Sequence, residues 1–299
     1  MKILFKNHQA PGDIVAMTGA IRDLKKQYPY HEIAMDTTAM DIWVNNPYLS
    51  WFPHDQADIV FTLDYPDIHR SNQSGRHFTQ AYYLRLEEFL GLPVRQLSIW
   101  PDLHLTEAEK QAPPIDGKYW IINSGYKSDF PLKSWGHENY QKVVDMLAGQ
   151  VQFVQVGEDS PGHVHFPLAG AINKIGSTTF RDYMNLAYHS CGSLGPVSMH
   201  LHVGAAFRKP CVIVAGAREP WRWEAYPNQR YVGMNGLLPC SPAGNGCWKC
   251  YLPSQLAEGD SGNGKVCTNL DNGRARCMTM ITPEMVVAEI MRYYEGGVL

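Results

Sequence analysis

Asp13 closes a turn-rich stretch, His8-Gln9-Ala10-Pro11-Gly12-Asp13, that follows a short apolar run, Ile3-Leu4-Phe5, and precedes a helical pattern. A carboxylate in that place can cap the helix. It can equally act as a general base, because open α/β sheets bind ligands beyond the carboxyl ends of their strands. Lys127 and Lys133 lie in the loop from Asn123 to Trp135, after a second apolar run, Tyr119-Trp120-Ile121-Ile122. Two ammonium groups there can neutralise a diphosphate leaving group; solvated lysines are the plainer reading. Gly195-Pro196-Val197-Ser198-Met199-His200 leads into the small-residue stretch Gly204-Ala205-Ala206. As the place where a strand or turn gives way to a new helix it would aim unpaired backbone N–H groups at an anion; as a packing helix with an incidental Gly-Pro turn it would do nothing more. Gly216-Ala217-Arg218-Glu219 follows another apolar run, so Arg218 could meet a phosphate and Glu219 a ribose diol.

The cysteines suggest separate chemistry. Five of the seven fall at Cys240, Cys247, Cys250, Cys267 and Cys277. The Cys-x2-Cys pair sets two thiols on one turn, and later thiols can complete a tetrahedron. Gly244, Gly246, Gly259, Gly262, Gly264 and Gly273 leave the segment little core of its own, which a metal would replace. The expected ligands are Cys247, Cys250, Cys267 and Cys277, with Cys240 as substitute. Free thiols or a disulfide pair are the alternatives. Cys191 and Cys211 lie in apolar surroundings and read as core.

These residues need a scaffold to converge. Strands are expected at 32–35 and 58–62 and helices at 14–28 and 78–90, then strands at 119–122, 151–156 and 210–215 with helices at 137–147 and 179–189. Alternating strands and helices imply α/β architecture with parallel sheets. The stretch 101–117, with Pro113-Pro114, reads as a link between two domains, 1–117 and 118–299, the second containing the cysteine-rich segment 240–278. A chain of 299 residues has the length for two such units. Net charge of -3 gives no general pull toward nucleic acid. No apolar run reaches the ~20 residues of a membrane span, and the first residues read as a strand rather than a signal peptide, so a cytoplasmic setting is expected.

Three segments, in order, resemble the bacterial heptosyltransferases of glycosyltransferase family nine. Gly12-Asp13-Ile14 through Tyr28-Pro29 is similar to the family's first helix. Ser124-Gly125 followed by Lys133-Ser134-Trp135 is similar to its donor-phosphate loop with a Lys-x-Trp signature. Gly195 to Ala206 with Lys209-Pro210 is similar to its donor-binding helix, His200 matching the motif histidine. The resemblance implies a GT-B fold of two facing Rossmann-like domains. It implies an inverting transfer, without catalytic metal, from a nucleotide-diphosphate sugar to a hydroxyl of a glycan, lipid or protein acceptor, the sugar being a heptose or hexose-like. Asp13 would be the base, with Lys133 and the Gly195–His200 helix start stabilising the departing diphosphate. Gly12, Ser124, Gly125, Lys127, Gly157, Gly195, Pro196, Val197, Ser198, Met199, His200, Gly216 and Glu219 would touch the donor. Where the family carries Asp-Thr-Gly, this chain has Gly195-Pro196-Val197, so the acidic contact with the donor is either missing or supplied elsewhere, Glu219 being the candidate. The cysteine cluster resembles the four-cysteine iron finger of autotransporter heptosyltransferases, implying structural zinc or iron. The last helix, 283–295, would return to the N-terminal domain as in GT-B proteins. The competing readings are a non-catalytic nucleotide- or glycan-binding protein on the same scaffold, and an epimerase or phosphorylase for which no suitable base or cofactor lysine is identifiable.

Overall fold

The computed structural model describes residues 1–65, 74–242, 244–258 and 260–295. Positions 243 and 259 of the expected cysteine-rich segment, and 296–299 of the expected C-terminal domain, lie outside them.

The first sheet holds three parallel strands, β1 (Lys2–Asn7), β2 (Glu32–Thr37) and β3 (Ile59–Thr62), in the order β2-β1-β3. α1 (Pro11–Gln27) joins β1 to β2. It starts three residues ahead of the expected Ile14, because Pro11 fits the first helical position and needs no N–H there. Gly12 and Asp13 are thereby drawn into the first turn, and Asp13 Oδ2 accepts the Ala10 N–H at 3.1 Å. Ile14 through Leu24 are all buried, since α1 is enclosed by its own sheet and by the second half of the chain. α2 (Gln80–Leu90) ends at Gly91, whose φ of +64° is readily adopted only by glycine. The expected link contains α3 (Glu107–Gln111), capped by Thr106.

The remaining elements are β4 (Trp120–Ile122), β5 (Tyr126–Lys127), α4 (His137–Met146), β6 (Phe153–Gln155), β7 (His163–Val164), β8 (Ile172–Asn173), α5 (Phe180–His189), β9 (Gly192–Pro196), α6 (Met199–Ala206), β10 (Cys211–Gly216), α7 (Trp221–Glu224), β11 (Gln229–Gly233), β12 (Leu270–Asp271), β13 (Arg274–Ala275), α8 (Arg276–Thr279) and α9 (Pro283–Glu295). Six of the strands form a parallel sheet, β11-β10-β9-β4-β6-β8. Its central strands are apolar and buried on both faces, as parallel sheets require.

Gly195 and Pro196 end β9 and α6 begins at Met199, so this stretch lies where a strand gives way to a helix, as expected. Pro196 is tolerated because pairing with β4 stops at Leu194. The final helix does not return to the first sheet. Val286, Ile290 and Tyr293 of α9 pack with Trp120 of the second sheet and Val143 of α4, and the Tyr293 hydroxyl donates to Asn228 O at 2.8 Å.

The two sheets are not separate bodies. One continuous apolar cluster runs from Ile3, Ile14 and Tyr82 of the first half to Ile121, Met184, Val203 and Trp223 of the second. At its edge Arg181 of α5 pairs with Glu109 of α3 at 2.5 Å, and the guanidinium holds the Glu109 carboxyl near 2.

Candidate active site

α1 and α6 meet at their N-termini. A Cβ on Gly12 would lie 3.3 Å from Met199 Cα, so the glycine is what allows this approach. Asp13 comes next in the chain and faces the loops of the second sheet. Burial pushes its carboxyl up to about 6; the Ala10 N–H, Lys133 and Lys127 pull it back, and Glu219 adds to the rise. A carboxyl carried by the first sheet therefore senses two lysines and a glutamate carried by the second. The Tyr82 hydroxyl donates to Asp13 O at 2.9 Å and fixes the turn.

Lys133 is positioned by its apolar neighbours. Pro131 to Lys133 form one tight turn; Leu132 and Trp135 are buried, and the Trp135 indole N–H donates to Ile281 O at 2.8 Å. From that anchored turn Lys133 Nζ donates to Val197 O at 3.2 Å and pairs with Glu219 Oε1 at 3.1 Å. Lys127 is more exposed, on a two-stranded ribbon formed by β5 and β7, with Asp129 at 3.7 Å.

Glu219 is 4% exposed. Burial raises its carboxyl, but Arg218 and Lys133 together outweigh that and hold it ionised, below the usual range. Arg218 does not reach out for a phosphate. Its guanidinium is taken by Glu219, by Lys249 O at 2.8 Å and by Cys250 Sγ at 3.5 Å. Glu224 on α7 was not singled out from the sequence. It is buried, its Oε2 has no partner among the described residues, and burial with the nearby Glu219 charge raises its carboxyl to about 8. Both influences favour its protonated form. The signal available in the sequence was an acid set between two aromatics, Trp223 and Tyr226.

The other expected donor contacts divide. Met199 abuts Gly12, the Ser198 hydroxyl is buried with no partner among the described residues, and Val197 offers its carbonyl to Lys133. Gly195 and Pro196 are buried in β9. His200 is 1% exposed, with Nε2 2.8 Å from Pro196 O and Nδ1 3.0 Å from Ser193 Oγ, and burial lowers its pKa to about 4. Both nitrogens are committed to packing β9 against α6. Gly125 and Gly157 lie under the His165 ring, which leaves no space for a Cβ on either. The Ser124 hydroxyl accepts Gln155 Nε2 at 2.9 Å. Gly216 adopts φ +60°, and a Cβ there would stand 3.2 Å from Cys277 Sγ. A cavity of about 290 Å³ lies alongside, lined by Ser124, Tyr126, Leu132, His137, Phe166 and Arg274, and includes neither Asp13 nor Lys133.

The cysteine-rich segment buttresses the same loop. Cys247 N donates to Ala217 O at 3.1 Å and Trp248 N to Arg218 O at 3.2 Å. All seven cysteines are free thiols. Among the described residues no group of three or more His, Cys, Asp or Glu side chains is arranged to hold a metal ion. Cys247, Cys267 and Cys277 are raised by burial; the neighbouring thiols add to this, Cys240 acting on all three, and Cys277 reaches about 11. Cys250 sits against Arg218.

Two facing lobes, with parallel sheets and the titratable groups at their seam, define the GT-B fold of glycosyltransferases. Solved structures of that fold are similar to the chain over nearly its whole length. The iron-containing dodecameric glycosyltransferase TibC from enterotoxigenic E. coli matches at TM-score 0.67 with 16% identity, covering 99% of this chain and 76% of that one. A glycosyltransferase of family nine from Veillonella parvula matches at TM-score 0.67 and 14% identity, covering 97% and 96%. E. coli ADP-heptose lipopolysaccharide heptosyltransferase II matches at 0.61 and 14%, covering 100% of each. No protein-family model and no curated protein matches the sequence. Among the described residues no helix is long and apolar enough to cross a membrane.

Proposed function

We propose that the protein is an inverting glycosyltransferase that moves a heptose or similar sugar from a nucleotide-diphosphate donor to an acceptor hydroxyl. The observation that carries the reading is the placement of Asp13 on α1 of one lobe, where Gly12 abuts Met199 of α6, with Lys133 of the other lobe held at Val197 O and acting on the Asp13 carboxyl. A base on one side and cations on the other is the polarity that displacement at an anomeric carbon needs. Residues 1–117 would hold the acceptor and 118–299 the donor. Asp13 takes the acceptor hydroxyl proton as the new glycosidic bond forms. Lys133 receives the diphosphate as its bond to the sugar breaks. Support for the donor class comes from the fold, since TibC has been solved with ADP-D-β-D-heptose. Calorimetry against ADP, UDP, GDP and their sugar derivatives tests the reading. One preferred diphosphate nucleotide, bound more tightly with its sugar attached, is expected; equal indifference to all of them would defeat it.

The non-catalytic alternative has one observation in its favour, the engagement of Lys133 by Glu219 and Val197 O. It predicts binding without release of sugar from any activated donor.

A structural zinc or iron belongs to the same reading, as does a cytoplasmic setting in which thiols stay reduced. The donor set that fits best is Cys240, Cys247, Cys267 and Cys277. These thiols influence one another, and main-chain hydrogen bonds at Lys249, Asn269 and Ala217 favour the thiolate forms of the last three. Bound there, the metal would order the segment that carries Lys249 and Cys250. Metal analysis of the purified protein is expected to give about one equivalent of iron plus zinc, as a single four-thiolate site requires. Cys240→Ser should lower that occupancy more than Cys250→Ser, and the reverse order would restore the quartet expected from spacing.

A further inference from the structure

At the seam one buried carboxylate is shared by two cations. Glu219 Oε1 meets both Lys133 Nζ and the Arg218 guanidinium. Lys133 is the cation that the proposed reaction needs for the diphosphate. A lysine cannot leave a buried carboxylate freely, because an uncompensated charge in such a place is strongly disfavoured. We propose that Arg218 is a positioning residue: it keeps Glu219 neutralised while Lys133 exchanges that carboxylate for the donor's diphosphate. The inference rests on the donor binding proposed above.

The charges support it. Glu219 carries one negative charge, and Arg218 and Lys133 carry two positive ones. With Arg218 assigned to Glu219, one full positive charge is free to move to phosphate. Without Arg218, the diphosphate and Glu219 would compete for the same ammonium.

Arg218 is built to stay behind. Its Nε donates to Lys249 O at 2.8 Å, and its Nη2 lies 3.5 Å from Cys250 Sγ. The guanidinium stands 5.1 Å from the Phe130 ring centroid and 5.7 Å from that of Trp248. Lys133, by contrast, is a flexible side chain 26% exposed, with a single carbonyl, Val197 O, as its other hydrogen-bond partner. The fixed fork and the mobile ammonium therefore have different tasks. Through Arg218 the cysteine-rich segment acts on the donor side without touching it.

The test is a calorimetric titration of ADP into the full chain and three variants, with UDP and GDP run in parallel. Arg218→Met is expected to weaken nucleotide binding about tenfold, the scale of one lost charge-assisted contact. Glu219→Gln, which removes the competitor, should tighten it severalfold. The double variant should return to within about threefold of Glu219→Gln, because the counter-charge is needed only while the carboxylate is there. A purely structural role for Arg218 would leave the double variant as weak as the single one and would overturn the proposal. If Arg218→Met does not fold, Glu219→Gln decides alone, and unchanged or weaker binding overturns it. Absence of nucleotide binding by the parent protein would remove the proposed function and this inference together. Normal binding without rescue would remove this inference only.

Discussion

Asp13→Asn is expected to abolish sugar transfer while leaving donor binding intact. Loss of a positioned general base lowers turnover by roughly 10² to 10⁴. The binding groups, Lys133 and the neighbouring loops, lie on the other lobe and are not altered. The pH dependence follows from the sign of the shift. The Asp13 carboxyl titrates at about 6 rather than at 3.8. Only the ionised form can take a proton, so turnover should rise with pH through about 6 and level off about one unit higher. The same shift makes the ionised group a liability to the fold. The native state holds its proton to higher pH than the unfolded chain, so this residue's contribution to stability falls as pH rises between about 4 and 6. Asp13→Asn removes that penalty. It should melt no lower than the parent at pH 7, which separates loss of chemistry from loss of structure. Turnover retained within threefold, at any pH above 6, would exclude Asp13 as the base.

Lys133→Gln should be almost as damaging, but in a different parameter. The ammonium would contribute both to holding the diphosphate and to stabilising it as it leaves, so kcat/KM is expected to fall by about 10³. Part of the loss should appear as weaker binding of ADP, about tenfold or more. Binding of adenosine, which has no phosphate, should not change. Glu219 stays paired with Arg218 in this variant, so the fold should survive the substitution. Steady-state kinetics alongside ADP and adenosine titrations would separate the two effects. Equal weakening of ADP and adenosine would mean that Lys133 supports the fold rather than the phosphate.

Much of this arrangement was legible because parallel α/β sheets constrain where chemistry can occur. Asp13 and Lys133 follow β1 and β4, and both do reach the seam. What the sequence did not convey was how buried groups choose their partners. His200 carried the motif, yet its ring folds back onto Pro196 O four residues earlier, a local bond that no spacing pattern announces. Gly195 and Pro196 have the composition of a turn, but position 196 lies just past the end of pairing with β4, where proline does no harm. Cys250 belongs to the tight Cys-x2-Cys pair, and tertiary packing turns it toward Arg218. Glu224 was invisible because its effect depends on burial next to Glu219, which lies five positions earlier in the chain. α9 was misplaced by analogy: its apolar side, Val286, Ile290 and Tyr293, fits the second sheet of its own lobe.

The apolar body that joins both sheets has a consequence for dissecting the protein. Cutting the chain near residue 117 would not release two self-sufficient halves. Tyr82 and Ile14 on one fragment, and Met184, Val203 and Trp223 on the other, would be left as bare oily faces in water. Such fragments would clump or recombine sooner than behave as independent modules, and work on either lobe is best done by point substitution in the intact polypeptide.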